Sequence, residues 1–267
     1  MKTAWKVIVG ILAALLVLLI VAEIGVRMFL TNQITKGVEQ QSAGQAVAAG
    51  QPEVSFGSQP VTLGLLTGSL PHLTVTTPST LTVSGDTISG EPGATIKMDK
   101  VNIVDGEPVA QAFTLTTELP NDFLRATLNQ SLHEQLGDNR WLDSLITVSE
   151  VTTDPENGTF TVLFTSGVAG IELRPAQTGG GVSFEAESTQ LFGFNLPSEV
   201  AGVVNNSLEE GMASFGNSQM HLSDVAVTPG GLQMQLSGEN VNFNELQQSL
   251  VPSPQGTQQQ EKPAYAG

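Results

Sequence analysis

The sequence predicts an α+β fold: a long curved antiparallel β-sheet packed on and around helices, with an internal helix–hairpin repeat, preceded by an N-terminal transmembrane helix. Three observations predict it. An uncharged apolar run opens the chain, short alternating strand patterns begin at Val54, and a helix–hairpin unit occurs twice in the second half. The expected organisation is a membrane segment over 1–22, one extracytoplasmic domain over 23–250, and a Pro- and Gln-rich disordered tail over 251–267.

The opening run, Val7 to Ala22, has Lys2 and Lys6 in front of it and no charge inside it. At about 1.5 Å per residue it spans roughly 24 Å, slightly short of the ~30 Å hydrocarbon core, with Trp5 and the segment after Glu23 available to extend it. Basic residues resist translocation, so the N-terminus is expected in the cytoplasm and the rest of the chain outside. Two readings of the run stay open, an uncleaved anchor and a cleaved signal peptide. Signal h-regions hold about 7 to 15 apolar residues before a small-x-small site. Ile20 and Ala22 make a poor pair for cleavage.

The chain is 40% hydrophobic but only 5% aromatic, so its core is built mainly from Val, Leu, Ile and Ala. It contains no cysteine, which excludes disulfides, thiolate metal sites, a cysteine nucleophile and lipidation through cysteine. The formal net charge is −16. Between Gly37 and Val251 the cations are Lys97, Lys100, Arg125, Arg140 and Arg174. Nucleic acid is therefore excluded as a partner, and so is a broad electrostatic grip on anionic lipid.

From Glu23 to Gln41 an apolar stripe of Val26, Phe29, Leu30, Ile34 and Val38 predicts a helix over 24–41 that packs on the sheet or lies on a membrane surface. Ser42 to Gln51 reads as a loop. Val61 to Leu70 is apolar without alternation and fits a short helix at one end of the sheet. Leu73 to Thr77, Leu81 to Ser84, Thr95 to Val104 and Ala112 to Thr117 alternate as strands, with turns at Gly85-Asp86, Pro92-Gly93 and Asp105-Gly106.

The repeat follows. LPNDFLRATLNQSLHE from Leu119 matches LPSEVAGVVNNSLEE from Leu196, predicting helices over 120–136 and 197–213. ITVSEVTTDPENGTFTVLFTSG from Ile146 recurs in reduced form as MHLSDVAVTPGGLQMQLSG from Met220, a hairpin with turns expected at Asn157-Gly158 and Gly230-Gly231. GIELRP and GVSFEAES form a strand pair around Gly179-Gly180-Gly181. Phe160, Val162 and Phe164 share one strand face, as do Leu232, Met234 and Leu236, while Thr161, Gln233 and Gln235 face the other way. One sheet face is dry, and the three longer helices are its cover.

The search for chemistry is negative. His72, His133 and His221 have no metal-ligand spacing, no GxSxG elbow occurs, and no glycine loop is placed to cradle phosphate. Asp154, Glu156 and Asn157 suit a hairpin turn better than a calcium loop. Asn129-Gln130-Ser131, Asn157-Gly158-Thr159 and Asn205-Asn206-Ser207 fit the glycosylation sequon. An acid/base role for Asp122, Glu150 or Asp224 has little support, because Glu150 and Asp224 occupy equivalent repeat positions. No enzyme activity, cofactor or metal is expected.

AEIGVRMFLTNQI after the apolar run, VSFGSQPVTLGLLTGSL at Val54 to Leu70, and the late LP-helix followed by SDVAVTPGGLQMQLSG resemble the LmeA-like phospholipid-binding family of actinobacterial cell envelopes. The resemblance extends from Ala22 to about Phe243, with a weak local match at Ser214 to Leu222. It implies a fold similar to the tubular lipid-binding proteins, an apolar groove between sheet and helices, a role in envelope lipid or lipoglycan metabolism, and no catalytic residues. The residues that suit such a groove are Leu128, Leu132, Phe160, Val162, Phe164, Val204, Leu208, Leu232, Met234 and Leu236, for each of which ordinary core packing is the competing reading. The expected partners are a phospholipid or related envelope lipid and, through the N-terminal helix, the membrane. Each acyl CH₂ buried contributes ~0.8 kcal/mol, so a long chain supplies on the order of 10 kcal/mol before ordering costs. The alternative function is a membrane-tethered scaffolding module for another envelope protein.

Overall fold

The computed structural model describes residues 20–36, 50–104, 107–136, 147–178, 181–188, 190–191, 194–195, 202, 204–209, 219–243 and 245. Most of the run Val7 to Ala22, the stripe residue Val38, Ser42 to Ala49 of the expected loop, the expected turns at Asp105-Gly106 and Gly179-Gly180, the tail after Val251, and the flanks of the helix expected over 197–213 lie outside them. Among the described residues no helix is long and apolar enough to cross a membrane. The described residues form antiparallel sheet with a few helices and, among them, no closed barrel.

The helices are α1 over 20–36, α2 (Val61–Thr67), α3 (Asn121–Leu136) and α4, described over 204–209. The strands are β1 (Glu53–Ser55), β2 (Ser69–Thr77), β3 (Thr82–Ser84), β4 (Thr87–Ser89), β5 (Ala94–Val104), β6 (Glu107–Pro120), β7 (Val148–Asp154), β8 (Thr159–Phe164), β9 (Ala169–Thr178), β10 (Gly181–Ser188), β11 (Gln190–Leu191), β12 (Phe194–Asn195), β13 (Met220–Thr228) and β14 (Gly231–Asn242).

The single long sheet expected from the sequence is two sheets. One has six strands in the order β1-β2-β5-β6-β14-β13, the other four in the order β10-β9-β8-β7, and β3-β4 and β11-β12 are separate two-stranded pairs. The two repeated hairpins therefore belong to different sheets. β14 hydrogen-bonds to β6 along its length, whereas β8 has β9 beside it. Each hairpin offers one dry face, and the sheets bury both against each other.

The long sheet carries one crease. Met98 and Val101 of β5 are both buried although three residues apart, as are Phe113 and Ala110 of β6 and Gly238 and Val241 of β14. Residues three apart do not share a face of a regular strand, so the alternation is reset between them. The reset lies at one level, where Lys100 (φ 50°) and Asn240 (φ 53°) flank Gln111 between the paired rows Asp99, Ala112, Glu239 and Val101, Ala110, Val241. Bulge-like positions bend strands and strengthen their twist. The reset also keeps apolar residues on the same side of the sheet from Leu119 to Ala110.

The repeat is preserved to single hydrogen bonds. In both hairpins the register shifts at a serine, between Val148 and Glu150 and between Leu222 and Asp224. Ser149 donates to the Leu163 carbonyl at 3.1 Å and Ser223 to the Gln235 carbonyl at 3.0 Å, at equivalent cross-strand positions. The turns differ from expectation. Asp154 pairs with Thr159, so the first is a four-residue loop, closed by Asp154 accepting the Asn157 N–H and by Gly158 at φ 66°. The second turn is Pro229-Gly230, since Thr228 pairs with Gly231, and neither glycine has positive φ. Gly231 is required for space instead, because an added Cβ there meets the Leu119 carbonyl oxygen at 1.9 Å.

α1 is already helical at Ile20, inside the apolar run and before the expected residue 24. Ile34 packs against the sheet, and Val26 and Leu30 are half-buried on the same side, but Phe29 of the expected stripe is exposed. Spacing by four residues puts 26, 30 and 34 in line and Phe29 at the margin of that face.

Candidate functional site

The ten residues expected to line a groove are buried at 0 to 5% exposure. Nine of them, all but Leu236, form one cluster with Leu119, Leu124, Val148, Val151, Ile171, Leu173 and Phe184. α3 supplies Leu128 and Leu132, α4 supplies Val204 and Leu208, β8 supplies Phe160, Val162 and Phe164, and β14 supplies Leu232 and Met234. The Phe160 and Phe184 rings meet edge to face with centroids 5.7 Å apart. Leu236 pairs directly with Leu115, which borders a second cluster of Val75, Met98, Val101, Ala110, Phe113, Met220 and Val241 under Ile34 of α1. Leu236 is thus the joint between two apolar cores on one face of one sheet. On β6 that face runs from Leu119 to Ala110, about 33 Å at ~3.3 Å per residue, longer than an acyl chain.

A polar clamp that sequence reasoning missed holds α3 in place. Asn129, 1% exposed, receives the Val148 N–H on its Oδ1 at 2.7 Å and donates from Nδ2 to the Val148 carbonyl at 3.0 Å. Its amide thereby acts as a neighbouring strand to β7. The same Nδ2 lies 3.0 Å from Asp86 Oδ1, which also accepts from Arg125 at 2.7 Å, while Gln130 donates to the Asp86 carbonyl. Burial alone raises the Asp86 pKa, but the hydrogen bonds from Asn129 and Arg125 and the Arg125 charge outweigh it and hold the carboxyl below its usual range. The β3–β4 turn is therefore tied to α3 as well.

The second repeat lacks this clamp. Asn205, the counterpart of Asn129 when the helices are aligned on Leu132 and Leu208, donates within its own helix to Glu209, and its Oδ1 is buried with no partner. The repeat places asparagine at both positions, so the sequence does not distinguish the one that clamps from the one that does not.

A second missed residue fixes the other end of the molecule. Glu23 of α1 accepts the N–H of Val61 at 2.7 Å and of Thr62 at 2.9 Å, capping α2 where its own Pro60 provides no side-chain cap. Arg27 pairs with Glu23 at 2.6 Å and donates to the Gly57 and Gln59 carbonyls. Burial opposes ionisation of Glu23, but the backbone donors of Thr62 and Val61, then Arg27 and the Thr62 hydroxyl, bring its pKa down to about 2. A depressed carboxylate pKa stabilises the fold above the unfolded value, near 4.5, and loses that contribution as pH falls toward 2. Acid titration of the unfolding midpoint is expected to show a decline over this window that is reduced in Glu23→Gln; identical wild-type and variant profiles contradict it.

A cavity of 210 Å³ lies among Thr76, Thr95, Thr116, Glu118 and Gln233 of the long sheet. It offers hydroxyls and a carboxylate but no cation, so it does not suit a phosphate group. His72 pairs with Asp99 across the strands. Among the described residues no group of His, Asp or Glu is arranged to hold a metal ion. Asp122, Glu150 and Asp224 are all exposed, on α3, β7 and β13 respectively.

The family model described as LmeA-like phospholipid-binding matches residues 21–237. No curated protein matches the chain, and no solved structure does. The matched segment runs from Val21 of α1 to Ser237 of β14, and this chain belongs to the LmeA-like phospholipid-binding family.

Proposed function

We propose that the protein is a non-catalytic, extracytoplasmic phospholipid carrier of the cell envelope, held at the membrane by its N-terminal run and supporting envelope lipid or lipoglycan metabolism. The observation that carries the reading is the continuous apolar face shared by two cores, within a lipid-binding family. An acyl chain lies along this face, displacing helical cover, with Leu128, Leu132, Phe160, Val162, Phe164, Val204, Leu208, Leu232, Met234 and Leu236 in contact with it. With a net charge of −16 and Arg27 and Arg125 engaged in internal contacts, recognition rests on apolar burial, aided at most by one or two local cations such as the exposed Lys97 and Lys100.

Native mass spectrometry of the gently purified full chain is expected to show a bound lipid, and incubation with phospholipid vesicles to load the lipid-free fraction. Repeated recovery without lipid and no uptake from vesicles overturn the proposal. A second reading, a tethered scaffold for another envelope protein, is favoured by one observation, the exposed apolar residues on α1 and α2. It is supported instead if the lipid-free chain retrieves one stoichiometric protein partner.

A further inference from the structure

α2 is built with its apolar side outward. Its buried positions are Val61 and Gly64, and an added Cβ on Gly64 meets the Ser69 carbonyl oxygen at 2.5 Å, so the helix lies against β2 on its smallest residues. All three leucines are exposed: Leu63 at 59%, Leu65 at 48% and Leu66 at 84%. An amphipathic helix of a water-facing domain has the reverse arrangement.

α1 repeats the anomaly. Ile20, Ile24 and Met28, spaced by four, are exposed along one ridge with Val21 beside it, while Val26, Leu30 and Ile34 serve the opposite side. Glu23 and Arg27 lock the two helices together, so the outward leucines are held beside the first turns of α1. Ile103, also exposed, donates its N–H to the Gly68 carbonyl at the far end of α2. Among the described residues, every exposed large hydrophobic other than Val168 belongs to α1, α2 or this strand end.

Two further facts identify what covers this surface. The uncharged run Val7 to Ala22 ends inside α1, and Glu23, which fastens α2, directly follows its last residue. The surface also stands apart from the chain's net charge of −16: Val54 to Gly85 contains no Asp, Glu, Lys or Arg, and Glu23 and Arg27 neutralise each other. A protein partner or second copy requires no such proximity to the run. A bilayer does.

We infer that the α1–α2 end is a bilayer-docking surface, in which Leu63, Leu65 and Leu66 of α2 and the Ile24–Met28 ridge of α1 enter the interfacial region of the leaflet crossed by the N-terminal run. The inference rests on reading that run as a membrane segment. It gives the domain a fixed orientation: a second contact beside the tether stops free rotation and places the α1-covered core nearest the lipid. Since insertion is apolar, it does not depend on anionic lipid.

The cysteine-free chain permits a direct test. Full-length Leu66→Cys, Met28→Cys and Val168→Cys variants, each labelled with an environment-sensitive fluorophore, are reconstituted into phosphatidylcholine vesicles with and without phosphatidylglycerol. Labels at 66 and 28 are expected to shift to the blue and to be quenched by lipid-borne nitroxide on both vesicles. The label at 168, in the turn that leads into β9 of the other sheet, remains open to aqueous iodide. Adding Leu63→Glu and Leu65→Glu to Met28→Cys removes nitroxide quenching, with flotation and unfolding midpoint unchanged. If the chain floats with vesicles but labels at 66 and 28 respond only to iodide, the tether stands and the docking surface is overturned. Shielding from both quenchers together with crosslinking between chains assigns the surface to a second copy and also overturns it. Failure to float removes the tether reading and the docking with it.

Discussion

Gly231→Ala is expected to abolish the native fold, with a loss above ~4 kcal/mol that places it among the most damaging single substitutions. The added Cβ is 1.9 Å from the Leu119 oxygen, 2.8 Å from the Leu119 carbon and 3.0 Å from the Pro120 Cα, all of them backbone atoms that no rotamer change can remove. Relief requires β14 to part from β6 at the start of their pairing, beside the buried Leu119 and Leu232. It also strains the Asn121 N–H to Gly230 carbonyl bond of 2.9 Å where α3 begins. Gly230→Ala is the matched control: its nearest atom is the mobile Glu118 Oε1 at 3.5 Å and its φ is not positive, so the change stays within about 1 kcal/mol. Denaturant unfolding of both variants decides the matter, and a wild-type midpoint for Gly231→Ala contradicts the argument.

The same glycine marks the limit of what the sequence conveys. Period-two alternation located β2, β5, β6 and both repeated hairpins, because each strand buries one side and the pattern records that directly. Partner choice between strands leaves no such local trace. The two hairpins look interchangeable in sequence, yet β14 joins β6 while β8 joins β9, and one expected sheet becomes two. Turn identity was legible only as to glycine content: Gly230-Gly231 suggested positive φ, whereas the structure uses Gly231 for close approach of two backbones. Glu23 and Asn129 were unreadable for a related reason, since each acts on backbone groups of a distant segment. The outward leucines of α2 were equally hidden, because a short apolar segment does not say which side is buried until Gly64 is seen against β2.

Asn129→Ala is expected to be the second severe change, and Asn205→Ala a mild one, although the two residues occupy equivalent places in the repeat. Removing the Asn129 amide leaves the N–H and carbonyl of Val148, a residue 1% exposed, without their partner and takes one donor from Asp86. Each buried group left unsatisfied costs about 1–3 kcal/mol, so a total near 3 kcal/mol follows. For a domain of this size that lowers the melting temperature by ~6–12 °C. Asn205 has no such partner to lose on its Oδ1, and its removal stays within about 1 kcal/mol. The asymmetry has a dynamic counterpart. α3 is fastened to β7 and to the β3–β4 turn, whereas α4 meets the core through Val204 and Leu208 with an unpaired oxygen beside them. Amide exchange is therefore expected to open 204–209 at lower free energy than 124–132, and Asn129→Ala to bring the two helices closer together. On the proposed lipid-carrier reading, α4 is the cover expected to give way to an acyl chain, while α3 stays fastened to β7 through Asn129. Equal protection of both helices, or equal loss of stability in the two asparagine variants, contradicts this division of labour.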